Sequence, residues 1–113
     1  MINQGDLLLA PFPFSDQSGR KVRPVIVISN DKYNSHHDDI VAVGVTSNVF
    51  KNPYYIDFTN ADLDFGNLVT VCSIMADSLT LLDKELITKR IGKVNKNKMK
   101  TVFDKVVEII KTK

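Results

Sequence analysis

Three short polar clusters beside apolar runs carry the chemistry this sequence can offer. Arg23 stands directly before Pro24 and the run Val25-Ile26-Val27-Ile28-Ser29, just after a polar loop over residues 15–21. The residue before a proline is biased toward extended geometry, so Arg23 is expected to begin the strand. No acidic residue lies within six positions on either side of it. Such a guanidinium suits bidentate recognition of phosphate or carboxylate. An ordinary surface arginine at a strand start has the same local sequence, and this segment alone leaves both readings open. Thr46-Ser47-Asn48 sets three small hydrogen-bonding side chains at the close of Ile40–Thr46. Strand ends that feed loops are where a sheet presents polar groups to a ligand, although plain turn chemistry also uses Ser and Asn. Asp77 follows a further apolar run, and Asp77-Ser78 could cap the next turn.

Other reactive side chains point to less. His36-His37-Asp38-Asp39 has metal-ligand residue types, but adjacent side chains diverge and structured metal sites draw ligands from several segments. An exposed loop is the expected setting, and no metal or cofactor is expected. Cys72 lies within an apolar run with no histidine nearby, which suits a buried structural thiol. The glycines at 5, 19, 44, 66 and 92 are isolated, so there is no phosphate-cradling loop. No serine sits in a nucleophile-elbow pattern.

The elements that must position these residues read as short strands. Leu7–Ala10 is one, expected to end or bulge at Pro11 and Pro13. Val25–Ser29 and Ile40–Thr46 are apolar and rich in β-branched residues, as strands buried on both faces are. Residues 30–39 read as polar turn, 47–53 as loop, and Tyr54–Phe58 as a short strand. Residues 60–67 suggest one helical turn closed by Gly66. Leu68–Ala76 is a further strand, Leu79–Asp83 a short strand or turn, and Ile87–Val94 an edge strand. Met99, Val102, Phe103, Val106, Val107 and Ile110 recur at helical spacing over Asn95–Lys111, with lysines on the opposite face. The class is mainly β with a C-terminal helix: five to seven short strands in a small, strongly curved barrel-like sheet. No early segment is long enough for a crossover helix, which disfavours a parallel α/β fold.

Length and composition fit one domain over residues 1–113, large enough to bury a core without staples. One cysteine excludes an internal disulfide. No apolar stretch approaches membrane-spanning length and no signal-like leader opens the chain, so a soluble cytoplasmic protein is expected. The formal charge of +2 is uneven: residues 1–92 carry net −3 and residues 93–113 net +5. A basic end of this kind can meet an acidic partner or nucleic acid, and is as often the solvated face of a terminal helix.

Taken together, these blocks resemble the MazF/PemK family of toxin–antitoxin toxins. The resemblance runs from Gly5-Asp6 through Pro11-Phe12-Pro13-Phe14, Ser18-Gly19 and Arg23-Pro24, then Val45-Thr46-Ser47-Asn48 and Asp77. It continues through Leu82-Asp83-Lys84, Leu86-Ile87 and residues 89–94, in order along nearly the whole chain. It implies an SH3-like small barrel, usually a homodimer, silenced by a cognate antitoxin that occupies the RNA groove. The implied activity is metal-independent cleavage of single-stranded RNA at short motifs, the RNA 2′-hydroxyl acting as nucleophile. By the same resemblance Arg23 and Thr46 lie at the scissile phosphate and Asp77 supplies an acid used in part of the family. Family members often carry arginines where this chain has Met75 and Thr80, so fewer cations line the groove. Arg20, Lys21 and Lys51 are candidate replacements, and with Ser47 and Asn48 they are expected substrate contacts. A non-catalytic toxin on the same barrel, acting as a gyrase poison does or decayed, is the alternative; a plain RNA-binding module is a third.

Overall fold

The computed structural model describes residues 1–12, 21–49 and 51–111. Its strands are β1 (Asp6–Phe12), β2 (Lys21–Val27), β3 (Asp39–Thr46), β4 (Tyr55–Phe58), β5 (Leu63–Gly66), β6 (Cys72–Asp83) and β7 (Lys89–Val94). Two α-helices join them: α1 (Asp31–His36) between β2 and β3, and α2 (Lys96–Ile110) after β7. All seven strands form one curled antiparallel sheet in the order β4-β6-β3-β2-β1-β7-β5. The expected mainly-β architecture with a closing helix is present.

Alternation along the strands divides the apolar side chains between the two faces of the sheet. One face carries Leu7, Ile26, Val43, Val45, Phe58 and Ile74 beneath Met99, Val102 and Val106 of α2. The other carries Leu8, Ala10, Val25, Val27, Ala42 and Leu82. Fully burying a side chain of this size contributes roughly 1.5–3 kcal/mol, which makes these two clusters the main source of stability. The helix stripe read from the sequence is the one that packs. Asn95 caps it, its side-chain oxygen accepting from Lys98 N at 2.8 Å. No helix among the described residues is long and apolar enough to cross a membrane.

Four expectations need correction. Residues 30–39 are not all turn: Asn30 accepts from Tyr33 N at 2.8 Å and caps α1. The helix is held by a buried Asn34, whose Nδ2 donates to Ser29 O at 2.9 Å and whose Oδ1 accepts from Ser29 Oγ. The described part of β1 runs through Pro11 to Phe12, and Pro13 lies outside the described residues. The β1–β7 ladder has stopped by Leu9, so no bond on that side is asked of Pro11. Leu68–Ala76 and Leu79–Asp83 are one element in part: β6 starts only at Cys72 and continues for 12 residues, absorbing the polar interruption as a bulge. Gly44 pairs with Met75 and Val43 with Leu79, leaving Ala76, Asp77 and Ser78 as the extra residues. Residues 60–67 are a short 3-10 turn followed by β5. Because β5 pairs with its outer side, β7 is interior rather than an edge.

Candidate functional site

Arg23 is the third residue of β2, paired with Ala10, rather than the strand's first residue. Pro24 after it has a direct structural consequence. A proline has no N–H to donate to a ladder, and β2 pairs with β3 only from Val25 onward, opposite Gly44. The start of β2 therefore stays on β1 while the end of β3 runs on without it. Continuing the register two residues brings Arg23 level with Thr46, with the two strands parted. A cleft of about 400 Å³ opens beside Arg23; Thr46 is not one of its walls, which include Arg23, Pro24, Val45 and Ser47. Asn67 and Thr70, from the loop between β5 and β6, face them across it. Arg23 is half-buried and its Nε is wholly enclosed, so the guanidinium stem is held rather than waving in solvent.

Thr46 is only 7% exposed. Its Oγ1 accepts from Asn48 N at 3.1 Å, which ties back the turn after β3 and leaves the hydroxyl proton available to donate. Ser47 and Asn48 are exposed beside it. The structure thus brings Arg23, Thr46, Ser47 and Asn48 to one end of the sheet. Lys21 is exposed two residues before Arg23, whereas Arg20 lies outside the described residues.

Asp77 sits apart from a strand end, exposed within the β6 bulge. Its charge bears on Tyr55 of β4: burial first, and then the Asp77 carboxylate, push the phenol pKa above 10.0. Tyr55 and Lys51 border a second, larger cavity of about 720 Å³, together with Asp57 and Ser73. Tyr54 is exposed and Tyr55 half-buried. Met75 is buried opposite Tyr55, and Thr80 is half-buried. Tyr55, Asp57 and Ser73 are the site residues the sequence did not single out. Their only signal is the two-residue alternation that sets Tyr55 and Asp57 on one side of β4.

The remaining reactive groups have local explanations. Cys72 lines the Arg23 cleft but is buried, and burial raises its thiol pKa above 9.0, which disfavours the thiolate a nucleophile needs. His36 and His37 end α1, their Nδ1 atoms within 2.8 and 3.0 Å of the Lys32 and Tyr33 carbonyls, and His37 stacks on Tyr33. Among the described residues no group of three or more His, Cys, Asp or Glu is placed to hold a metal ion. Asp6 is a buried carboxylate used structurally: it accepts from Asn3 N at 2.8 Å and pairs with Arg90 and Lys93 at 3.4 and 3.5 Å.

Solved structures share this fold. A mycobacterial endoribonuclease in complex with its cognate antitoxin superposes with a TM-score of 0.78 at 19% identity, over 97% of this chain and 95% of that one. MazF from Deinococcus radiodurans gives 0.76 at 21% identity, over 96% of both chains. In sequence, the endoribonuclease MazF of Staphylococcus saprophyticus is 28% identical over 109 residues, covering 90% of this chain and 85% of the relative. The pattern that defines the PemK-like, MazF-like toxins of type II toxin–antitoxin systems matches residues 3–110, and the protein belongs to that family.

Proposed function

We propose that this protein is an endoribonuclease toxin that cleaves single-stranded RNA at short motifs through Arg23 and Thr46, without a metal ion. The observation that carries the reading is the parting of β2 from β3 at Pro24, which leaves a half-buried guanidinium and a donor-capable threonine hydroxyl at one end of the sheet. RNA supplies its own nucleophile. The 2′-oxygen attacks phosphorus, the bond to the 5′-oxygen breaks, and the products are a 2′,3′-cyclic phosphate and a 5′-hydroxyl. One proton leaves the 2′-hydroxyl and one reaches the departing 5′-oxygen. Arg23 holds two phosphate oxygens and neutralises the charge that grows on them. A guanidinium carries only donors and no acceptor, so Arg23 does not serve as the base. Thr46 donates to a phosphate oxygen, and Asp77 accepts the 2′-hydroxyl proton or orients the group that does. Ser47, Asn48, Arg20, Lys21 and Lys51 contact the strand on either side.

Residues 1–113 act as one domain in the cytoplasm, as a homodimer restrained by a cognate antitoxin. The mycobacterial neighbour solved with its cognate antitoxin supports that partner. Incubation with a long single-stranded RNA in EDTA tests the reading. Discrete fragments with cyclic-phosphate ends, absent for folded Arg23→Ala and Thr46→Ala, are expected. Intact RNA across diverse sequences would instead favour a non-catalytic toxin on the same barrel.

A further inference from the structure

We infer that the cavity beside β4 is a nucleobase pocket that selects guanine through the Asp57 carboxylate. The inference rests on the reading above, and concerns which base is accepted beside the scissile phosphate.

The argument starts from register. Thr46 pairs with Ser73, and Ser73 pairs with Asp57, so the three lie in one row across β3, β6 and β4. Directly opposed residues in antiparallel strands point to the same face. The next row is Gly44, Met75 and Tyr55, on that same face. Neighbouring strands lie ~4.8 Å apart, so Asp57 stands ~10 Å from Thr46, two strand spacings away. That is a span one nucleotide bridges when its phosphate is at Thr46 and its base reaches toward β4. The cavity fills this ground: about 720 Å³, with Ser73, Tyr55, Asp57 and Lys51 among its walls. Its size falls in the range of small-molecule sites, roughly 300–1,000 Å³.

The wall chemistry favours one base. An ionised carboxylate only accepts hydrogen bonds, with two oxygens side by side. Guanine presents two adjacent donors on its Watson–Crick edge, N1–H and the N2 amino group. Adenine and cytosine each offer one amino group beside an acceptor nitrogen. Uracil offers N3–H flanked by two carbonyls that the carboxylate repels. Asp57 is exposed on the cavity wall, and Lys98 bonds only its backbone oxygen, at 2.9 Å. Tyr55, two residues earlier on the same side of β4, supplies an aromatic face for the base, which single-stranded RNA can splay out. Lys51 offsets the repulsion between Asp57 and the RNA backbone.

The test separates this pocket from catalysis. Single-stranded oligonucleotides made uncleavable by 2′-O-methylation, each carrying guanine, inosine, adenine, cytosine or uracil at one position in turn, are titrated against the protein. At one position guanine is expected to bind at least ~10-fold better than inosine, which lacks the N2 donors, or uracil. Asp57→Asn, with one donor and one acceptor, is expected to erase that preference while binding at other positions is unchanged. Tyr55→Ala is expected to weaken binding of every base there by ~10-fold. Equal affinity for all five bases at every position, or a preference that Asp57→Asn leaves intact, would overturn the inference. Cleavage of unmodified RNA is scored separately. Cleavage without guanine selection removes the pocket and leaves the nuclease; selection without cleavage removes the nuclease and leaves the pocket.

Discussion

Gly66→Ala is expected to be among the most damaging single-methyl changes in the chain. Gly66 closes β5 with φ +100, a conformation L side chains rarely adopt, and a Cβ there would lie 2.3 Å from Ile91 O and 2.5 Å from Gly92 Cα. Both obstacles are backbone of β7, which pairs with β5 at this point through Gly66 and Gly92. The strain of the dihedral is about 1–3 kcal/mol, and forcing two paired strands apart adds about 1–3 kcal/mol more, as overpacking does. Gly5 is the internal control. It also has positive φ, +90, but its added Cβ would meet nothing closer than 3.5 Å. Gly5→Ala should therefore carry the dihedral strain alone, about 1–2 kcal/mol. Urea unfolding followed by circular dichroism measures both. Gly66→Ala is expected to lose about 1–3 kcal/mol more than Gly5→Ala, by the overpacking term. Equal losses, or a smaller one at Gly66, would refute the close β5–β7 approach. That approach also sets where Asn67 and Thr70 stand across from Arg23. A folded Gly66→Ala protein should accordingly also be impaired in RNA cleavage.

Two further outcomes follow from buried or coupled groups. Asn34→Ala removes the side chain that bonds both Ser29 O and Ser29 Oγ, and should lower stability by about 2 kcal/mol, read by chemical denaturation. Asp77→Asn takes away one of the two causes that raise the Tyr55 pKa, so ultraviolet titration should show one tyrosine ionising at lower pH than in the parent. The sign for stability follows. A phenol whose pKa is raised on folding keeps its proton in the folded state while the unfolded chain has begun to lose it. Tyr55's contribution to stability is therefore constant well below pH 10.0 and falls as pH rises from there toward the folded value. Tyr55→Phe should show less of that alkaline loss. An unchanged tyrosine titration in Asp77→Asn would separate Asp77 from Tyr55.

The strand cores and the closing helix were legible because their patterns are local. Val25–Val27 and the stripe Met99, Val102, Val106 show their periodicity within a few residues. What escaped depends on pairing between distant segments. β6 looked like two pieces because Asp77-Ser78 breaks its apolar run, and only β3 opposite reveals a bulge. β7 looked like an edge because β5, disguised by its glycine as a helical turn, supplies its outer partner. α1 spans six residues, too short for an apolar stripe. At the site, Arg23 and Thr46 could be marked from their positions beside apolar runs. The cleft beside Arg23 comes from Pro24 ending one ladder, and the row Thr46, Ser73, Asp57 exists only once two strand registers are set. No spacing along the chain encodes that row.

The most direct test of the central claim is one RNA that the protein cuts, synthesised with a single 2′-deoxynucleotide on the 5′ side of the scissile phosphate and incubated in EDTA. Cleavage at that bond is expected to vanish while other cut sites persist, and the all-ribose parent is expected to yield a cyclic phosphate there. Replacing Arg23 with alanine should lower the parent's cleavage by ~10²–10³-fold, the loss that follows removal of one charge-stabilising donor. Continued cleavage at the deoxy position, or an Arg23→Ala protein as active as the parent, would contradict the mechanism.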